Sequence, residues 1–188
     1  MRSKETYIAF LRGINVGGHH KVPMTNLHKE LEKLGFKNVL TLLNSGNVIF
    51  NAAGCNTKQL ENIISECLEN KFGFAIPTIV RKSELIYELV SKKPFKHVEV
   101  TKDIRLYVSF LQEQSNTKLE LPWSSDDNSF EIMEQRDKTI ISVLDLSVSK
   151  TPKSMSALEK YYGTDITTLN WNTILRIGKK LKLTTDNI

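Results

Sequence analysis

The stretch FLRGINVGGHHK, residues 10–21, determines how the rest of the chain is organised. It continues the apolar run Tyr7–Leu11, which predicts a strand buried on both faces and therefore central in its sheet. Glycines, an amide and cations come after this run: Arg12, Gly13, Asn15, Gly17, Gly18, His19, His20 and Lys21. A buried strand that runs directly into such residues predicts a site at the end of the sheet.

The elements after this stretch complete a recognisable pattern. Apolar periodicity predicts one helix that begins with Thr25 as its N-cap and a second that begins at Thr57. Short apolar runs predict strands at Val39–Leu43, Val48–Phe50 and Pro77–Val80. The order strand, helix, strand, strand, helix, strand is the split βαβ, or ferredoxin-like, unit.

Ferredoxin-like geometry brings three loops to one end of this sheet. The first strand lies between the third and the fourth and runs antiparallel to both. The loop after it should therefore meet the turn Asn44–Asn47 and the segment Gly73–Pro77. All three loops are rich in glycine and amides, so we predict that they form one surface.

The remaining chain predicts a second α+β lobe. A helix at Ser83–Val90 precedes a polar, basic linker at 92–102. Beyond it we predict strands at Ile104–Leu111, Phe130–Gln135 and Thr139–Leu146, a helical turn at Thr117–Leu121, and helices at Ser154–Tyr162 and Trp171–Leu181. The predicted class is α+β, with two lobes built on ferredoxin-like units and mainly antiparallel sheets, at 1–91 and 103–188. No residue-level repeat shows whether the second lobe is a degenerate copy of the first.

Composition sets limits on function. The 188 residues are 40% hydrophobic and 25% charged, which is ordinary for a globular protein. A net charge of +5 permits a phosphate-bearing partner without requiring one. Cys55 and Cys67 are too few for a disulfide framework and are expected to be reduced thiols. The N-terminal apolar run is too short for a signal peptide or a membrane span, so we predict a cytoplasmic protein without a membrane partner.

Three strings together resemble one protein family. LRGINVGG begins at Leu11, SGNVIF at Ser45 and NWNT at Asn170, and they are similar to the bacterial family called domain of unknown function 1697. The resemblance is close over residues 6–51 and looser over 150–177. It implies a two-lobed α+β fold built on ferredoxin-like units, and it implies no established activity, substrate or catalytic residue.

The chain departs from the family pattern at three positions. Asn44 stands where the family usually has Gln, and His20 stands where it often has Asn. Leu169 stands where Arg commonly precedes NWNT. If that Arg binds an anion in relatives, the role is weakened or missing in this chain.

The glycine pair has two interpretations. Gly17–Gly18 either present backbone N–H groups to an anion or form a tight loop with positive φ that packs against the turn at Gly46. In the first case His20 and Lys21 add charge. The string is neither a P-loop nor a GxGxxG fingerprint. Arg12 either reaches a ligand at the end of the sheet or pairs with the second lobe, because a cation on a central strand is costly to leave buried and unpaired.

Asn15, Asn44 and Asn47 either recognise a ligand or tie adjacent loops together. The predicted ligand-binding residues are Arg12, Asn15, Gly17, Gly18, His20, Lys21, Asn44, Ser45 and Asn47. Ser45 lies outside any GxSxG motif, so no catalytic residue is predicted. The four histidines, His19, His20, His28 and His97, show no HxH or HxxxH spacing, so we predict no metal and no cofactor.

The sequence supports three functional hypotheses. The first is a binding module for a phosphate-bearing ligand, either a nucleotide or single-stranded nucleic acid, at the glycine pair and at a basic surface near Arg176 and Lys179. The second is a metal-independent enzyme that acts on a small anionic substrate between the lobes, with His20 as the proton-transfer group. The third is a scaffold that binds a protein through an open sheet face. No pair of carboxylates suited to acid–base catalysis is visible, which counts against the enzyme. We rank the binding module first.

Overall fold

The computed structural model describes residues 4–42 and 46–185. The chain divides into two compact units, one formed by Met1–Tyr87 with Leu181–Ile188 and the other by Glu88–Lys180. The predicted limits of independent domains, at 1–91 and 103–188 with a linker at 92–102, stay a prediction.

The first unit has ferredoxin-like topology. Its elements in chain order are β1 (Lys4–Leu11), α1 (Met24–Lys33), β2 (Lys37–Leu42), β3 (Asn47–Ala53), α2 (Thr57–Phe72) and β4 (Thr78–Lys82). The strand order is β2-β3-β1-β4, and neighbouring strands are antiparallel. β1 therefore lies between β3 and β4, and the predicted βαββαβ pattern is confirmed.

One face of this sheet packs against α1 and α2. Side chains alternate between the two faces of a strand, so only every second residue of β1 and β3 points towards these helices. Tyr7 on β1 and Phe50 on β3 are among them and belong to this core. Leu27 of α1 and Ile64 and Leu68 of α2 are fully buried against them. Each fully buried side chain of this size contributes roughly 1.5–3 kcal/mol, so this layer stabilises the framework that positions β1.

The other face of the same sheet is buried as well. Ile8, Phe10 and Ile49 are 0%, 1% and 0% exposed. β1 is thus buried on both faces, as its apolar run predicts. The hypothesis of a scaffold that binds a protein through an open sheet face stays a prediction.

The start of α1 differs from the prediction. The helix begins at Met24 after Pro23, so the predicted N-cap Thr25 lies inside the first turn. The Pro23 carbonyl accepts the N–H of Leu27 at 3.0 Å. Proline fixes φ near the helical value and lacks an N–H, so it enters a helix without loss of a hydrogen bond, and this local geometry overrides the preference of threonine for the cap.

The second unit repeats the strand order of the first. The remaining elements, of which the first and last belong partly to each unit, are α3 (Ser83–Lys92), β5 (Ile104–Leu111), β6 (Trp123–Ser124), β7 (Phe130–Arg136), β8 (Thr139–Asp145), α4 (Thr151–Tyr162), β9 (Ile166–Asn170) and α5 (Trp171–Thr185). The antiparallel sheet has order β6-β7-β8-β5-β9, so β7-β8-β5-β9 corresponds to β2-β3-β1-β4. The predicted α+β class with two ferredoxin-like lobes is confirmed.

The cover of the second sheet is less regular. Residues 112–122, which come after β5, form no helix. The predicted helical turn at Thr117–Leu121 is therefore wrong: the Thr117 N–H donates to the Ser115 hydroxyl at 3.2 Å, a local bond that competes with helix formation. Leu119 of this segment and Leu158 of α4 pack against the same face of the sheet.

Candidate functional site

Three loops meet at one end of the first sheet. The backbone N–H of Leu11 donates to the carbonyl of Gly46 at 2.9 Å, and that of Arg12 donates to the carbonyl of Pro77 at 2.9 Å. The loop after β1, the turn before β3 and the segment before β4 are therefore joined directly. The predicted convergence of these three loops is confirmed.

Gly46 lets these loops approach closely. Its φ is +77°, and a Cβ on it would lie 2.8 Å from Leu11 Cβ and 2.8 Å from Ile14 Cδ1. Side-chain atoms do not pack at such distances, so the position requires glycine. A Cβ on Gly17 or Gly18 would meet nothing within 4 Å, so the predicted close packing of that pair against the Gly46 turn is wrong.

Gly17–Gly18 form the tip of a tight turn. Their φ values are +60° and +80°, and the His19 N–H donates to the Val16 carbonyl at 3.2 Å. Positive φ at both central residues is typical of a type I′ turn, which glycine adopts without strain. The turn projects into solvent, and Val16 is 70% exposed.

Asn15 closes the loop behind this turn, and we call residues 15–22 the glycine-rich loop. The Asn15 Oδ1 accepts the Val22 N–H at 2.8 Å, and its Nδ2 donates to the Val22 carbonyl at 3.0 Å. Its own N–H donates to the His20 carbonyl at 3.1 Å. Asn15 adopts a φ of +57°, which asparagine tolerates better than most residues. The loop-tying alternative therefore describes Asn15, and the loop is closed at its base.

The His20 ring stacks on Phe74, just before β4. The ring centroids are 4.4 Å apart and the planes differ by 18°. Phe74 packs against the core of the first unit, whereas His20 is exposed. The stack fixes the glycine-rich loop to the neighbouring segment. Phe74 is a site residue that the sequence did not indicate beyond its place in the predicted Gly73–Pro77 loop.

An open depression lies between the glycine-rich loop and the start of α1. Its volume is about 420 Å³, and its lining residues are Asn15, Gly18, Lys21, Val22, Pro23 and Met24. No side chain caps the start of α1, and its first turn carries no acidic residue. Helix dipoles leave partial positive charge at such an end, and the exposed Lys21 adds a full charge. The depression is therefore electropositive.

The other predicted site residues lie in different environments. Arg12 directly follows β1 and is half-buried. Asn47 begins β3 and is 3% exposed, which favours a role in tying strands over contact with a ligand. Asn44 and Ser45 lie outside the described residues.

Histidine and cysteine side chains are dispersed. Within the described ranges, 4–42 and 46–185, no three His, Cys, Asp or Glu residues form a group that could hold a metal ion. His28 Nδ1 lies 3.3 Å from the carboxylate of Glu32 on the next turn of α1. Cys55 and Cys67 are free, and burial raises the pKa of the Cys67 thiol. Burial therefore disfavours the thiolate of Cys67, which is the reactive form of a cysteine.

Carboxylates with shifted pKa values mark structural ties. Hydrogen bonds from Lys82 and then Tyr7 lower the pKa of Glu5 near the start of β1. Burial, followed by the hydrogen bond to Glu5, raises the pKa of the Tyr7 hydroxyl. In the second unit Lys153 and two serine hydroxyls hold the pKa of Asp127 well below its usual range. These groups do not line the depression.

The NWNT segment forms the start of α5. The Asn170 side chain accepts the Asn172 N–H at 3.0 Å and so caps α5. Leu169 lies in β9 opposite Val108 and is 9% exposed. The residue before NWNT is therefore a core residue in this chain. Exposed cations of α5 are Arg176, Lys179, Lys180 and Lys182.

Two ferredoxin-like sheets and an electropositive loop at the end of the first define a two-unit α+β protein with a candidate anion site. The family described as protein of unknown function (DUF1697) matches residues 4–140. Because the match spans most of the chain, the protein belongs to this family, as the strings LRGINVGG and SGNVIF indicate. The NWNT segment lies beyond the matched residues.

A solved structure has the same fold. The conserved bacterial protein SP0830 from Streptococcus pneumoniae superposes with a TM-score of 0.63 at 23% sequence identity, over 94% of this chain and 98% of that chain. At this identity the similarity shows the fold alone. No curated protein matches the chain. The part of the chain that the structure describes contains no helix long and apolar enough to cross a membrane.

Proposed function

We propose that this protein is a cytoplasmic binding module for a phosphate-bearing ligand, a nucleotide or a single-stranded nucleic acid, and that the phosphate lies in the depression beside Lys21. The observation that carries the proposal is an uncapped helix start and a lysine that line one depression open to solvent. Helix N-termini favour phosphate because their free N–H groups and their dipole attract negative charge.

The glycine-rich loop supports the proposal through its rigidity. Two hydrogen bonds between the Asn15 side chain and the Val22 backbone, together with the stack of His20 on Phe74, hold the loop. The loop is thus ordered before a ligand arrives. Binding then costs less conformational entropy, so a modest set of charged contacts is sufficient for measurable affinity.

Titration calorimetry at low and high salt tests the proposal. The ligands are inorganic phosphate, mono- and dinucleotides and short single-stranded oligonucleotides. The variants are Lys21→Ala and, as a matched control, Lys29→Ala, which removes an exposed lysine of α1 outside the depression. A hydrogen bond to a charged group contributes about 1.5–3 kcal/mol, so Lys21→Ala is expected to weaken binding roughly tenfold or more. Lys29→Ala is expected to change it much less.

Other outcomes relocate or remove the site. Equal losses in the two variants would show a general charge effect and no contact with Lys21. Binding of oligonucleotides alone, abolished by salt and by Lys179→Ala, would place the ligand on the surface of α5 instead. If no phosphate-bearing ligand binds to the wild type, the proposed function is wrong.

A further inference from the structure

His20 and Phe74 form an aromatic pair that solvent reaches. Phe74 packs against the core, and the imidazole of His20 lies on it in a near-parallel stack. His20 is nonetheless exposed, so solvent reaches the stacked ring. The pair therefore presents an aromatic surface that is supported from below by the core of the first unit.

This surface lies close to the depression along the chain. His20 is flanked in sequence by Lys21, and both Lys21 and Gly18 line the depression. Neighbouring Cα atoms are about 3.8 Å apart, so the side chains of His20 and Lys21 leave the backbone within the length of one nucleotide. The hydrogen bonds between Asn15 and Val22 close the loop that carries both side chains.

We propose that the exposed face of the His20 ring is a stacking platform for the base of a nucleoside monophosphate unit whose phosphate lies beside Lys21. The inference rests on the proposed function and specifies its ligand class. Every base has a π-face, so stacking on an aromatic ring tolerates different bases. Purines, with the larger π surface, are expected to bind more tightly than pyrimidines.

The test compares ligands with and without a base. Adenosine 5′-monophosphate, ribose 5-phosphate and inorganic phosphate are titrated into the full chain as wild type, His20→Ala and His20→Phe. Loss of one base stack weakens binding about 5- to 150-fold, so the wild type is expected to prefer the nucleotide over ribose 5-phosphate by such a factor. His20→Ala is expected to weaken the nucleotide much more than ribose 5-phosphate and so to abolish the preference, and His20→Phe is expected to retain it.

Each other result overturns the inference in a distinguishable way. Equal wild-type affinities for the nucleotide and ribose 5-phosphate leave the proposed function standing and remove the stacking platform. A nucleotide preference that survives in His20→Ala places the base elsewhere. If His20→Ala weakens both ligands equally, His20 only anchors the loop. If neither ligand binds to the wild type, the inference and the proposed function fail together. Thermal unfolding of each variant, measured in parallel, shows whether it is folded.

Discussion

The two units share the same backbone hydrogen bonds at the end of the sheet, but the loops that follow differ. In both units, the backbone N–H groups of two consecutive residues at the end of the central strand, β1 or β5, donate to carbonyls of two other loops. One loop is the turn before β3 or β8, and the other is the segment before β4 or β9. The four hydrogen bonds are Leu11 to Gly46, Arg12 to Pro77, Leu111 to Lys138 and Gln112 to Asp165, each at 2.9 Å. The second unit is therefore a structural copy of the first, although its sequence shows no residue-level repeat.

The two units differ in the residues that come after these hydrogen bonds. In the first unit the chain enters the glycine-rich loop and α1, and Gly46 leaves room for close packing. In the second unit Lys138 Nζ donates to the Gln112 carbonyl at 2.8 Å and lies 3.4 Å from the carboxylate of Glu113. A side chain thus occupies the end of the second sheet. The sheet places loops, and the loop residues decide whether a site is formed.

The largest expected effect on stability concerns the segments that pack on the two sheets. Leu27 on α1 is 0% exposed, so Leu27→Ala should lower the free energy of unfolding by about 2–5 kcal/mol. Leu119→Ala, in the irregular segment that replaces a helix, should cost only about 1 kcal/mol because Leu119 is partly buried. Urea unfolding measures both values. Equal costs would show that the irregular segment covers its sheet as tightly as a helix.

A smaller effect separates the two turns before the third strand. Gly46→Ala should lower the free energy of unfolding by about 2–4 kcal/mol in total. About 1 kcal/mol comes from backbone strain at a positive φ, and about 1–3 kcal/mol comes from the overpacked Cβ. Its counterpart Lys138→Ala loses the hydrogen bond to the Gln112 carbonyl, about 0.5–1.5 kcal/mol, and an exposed ion pair with Glu113 that contributes at most about 1 kcal/mol. Thermal unfolding at one pH compares the two. A tolerated Gly46→Ala would mean that the loops can separate without loss of the fold.

The tie within the glycine-rich loop should contribute less. Asn15→Gly keeps the positive φ but removes both hydrogen bonds to Val22, which should cost about 1–2 kcal/mol and speed amide exchange in the loop. Asn15→Ala should cost about 1 kcal/mol more because alanine is strained at a φ of +57°. Hydrogen exchange followed by NMR measures the loop directly. Unchanged exchange rates in Asn15→Gly would show that His20 and Phe74 hold the loop alone.

The smallest expected effect is a dependence on pH in the second unit. Lys153 and serine hydroxyls lower the pKa of folded Asp127, so folding favours its ionised form. This contribution is fully present above the unfolded pKa of about 3.9 and is lost as pH falls below it towards the folded pKa. Asp127→Asn should therefore flatten the loss of stability below about pH 4, as followed by thermal unfolding. Asp126→Asn, an exposed neighbour in the same turn, should not.

Strands with clear apolar patterns were predictable, and the others depended on partners. β1, β5 and the ferredoxin-like order result from local periodicity. β9 was not predicted because Thr167 and Thr168 interrupt its apolar pattern. It forms through pairing with β5, where Ser109 Oγ and Thr168 Oγ1 lie 2.8 Å apart. A strand of this kind is stabilised by its neighbours more than by its own residues.

Some features of the candidate site were likewise predictable from the sequence, and others were not. Sequence alone determined the buried strand, the exposed glycine pair, the cations beside it and the convergence of three loops, because strand alternation and the order of elements constrain these features. Only the tertiary structure decided that Asn15 ties the loop to Val22, that His20 stacks on Phe74, and that Lys21 shares a depression with the start of α1. Each of these contacts depends on side-chain direction and distance within a folded loop, which a periodic pattern does not encode.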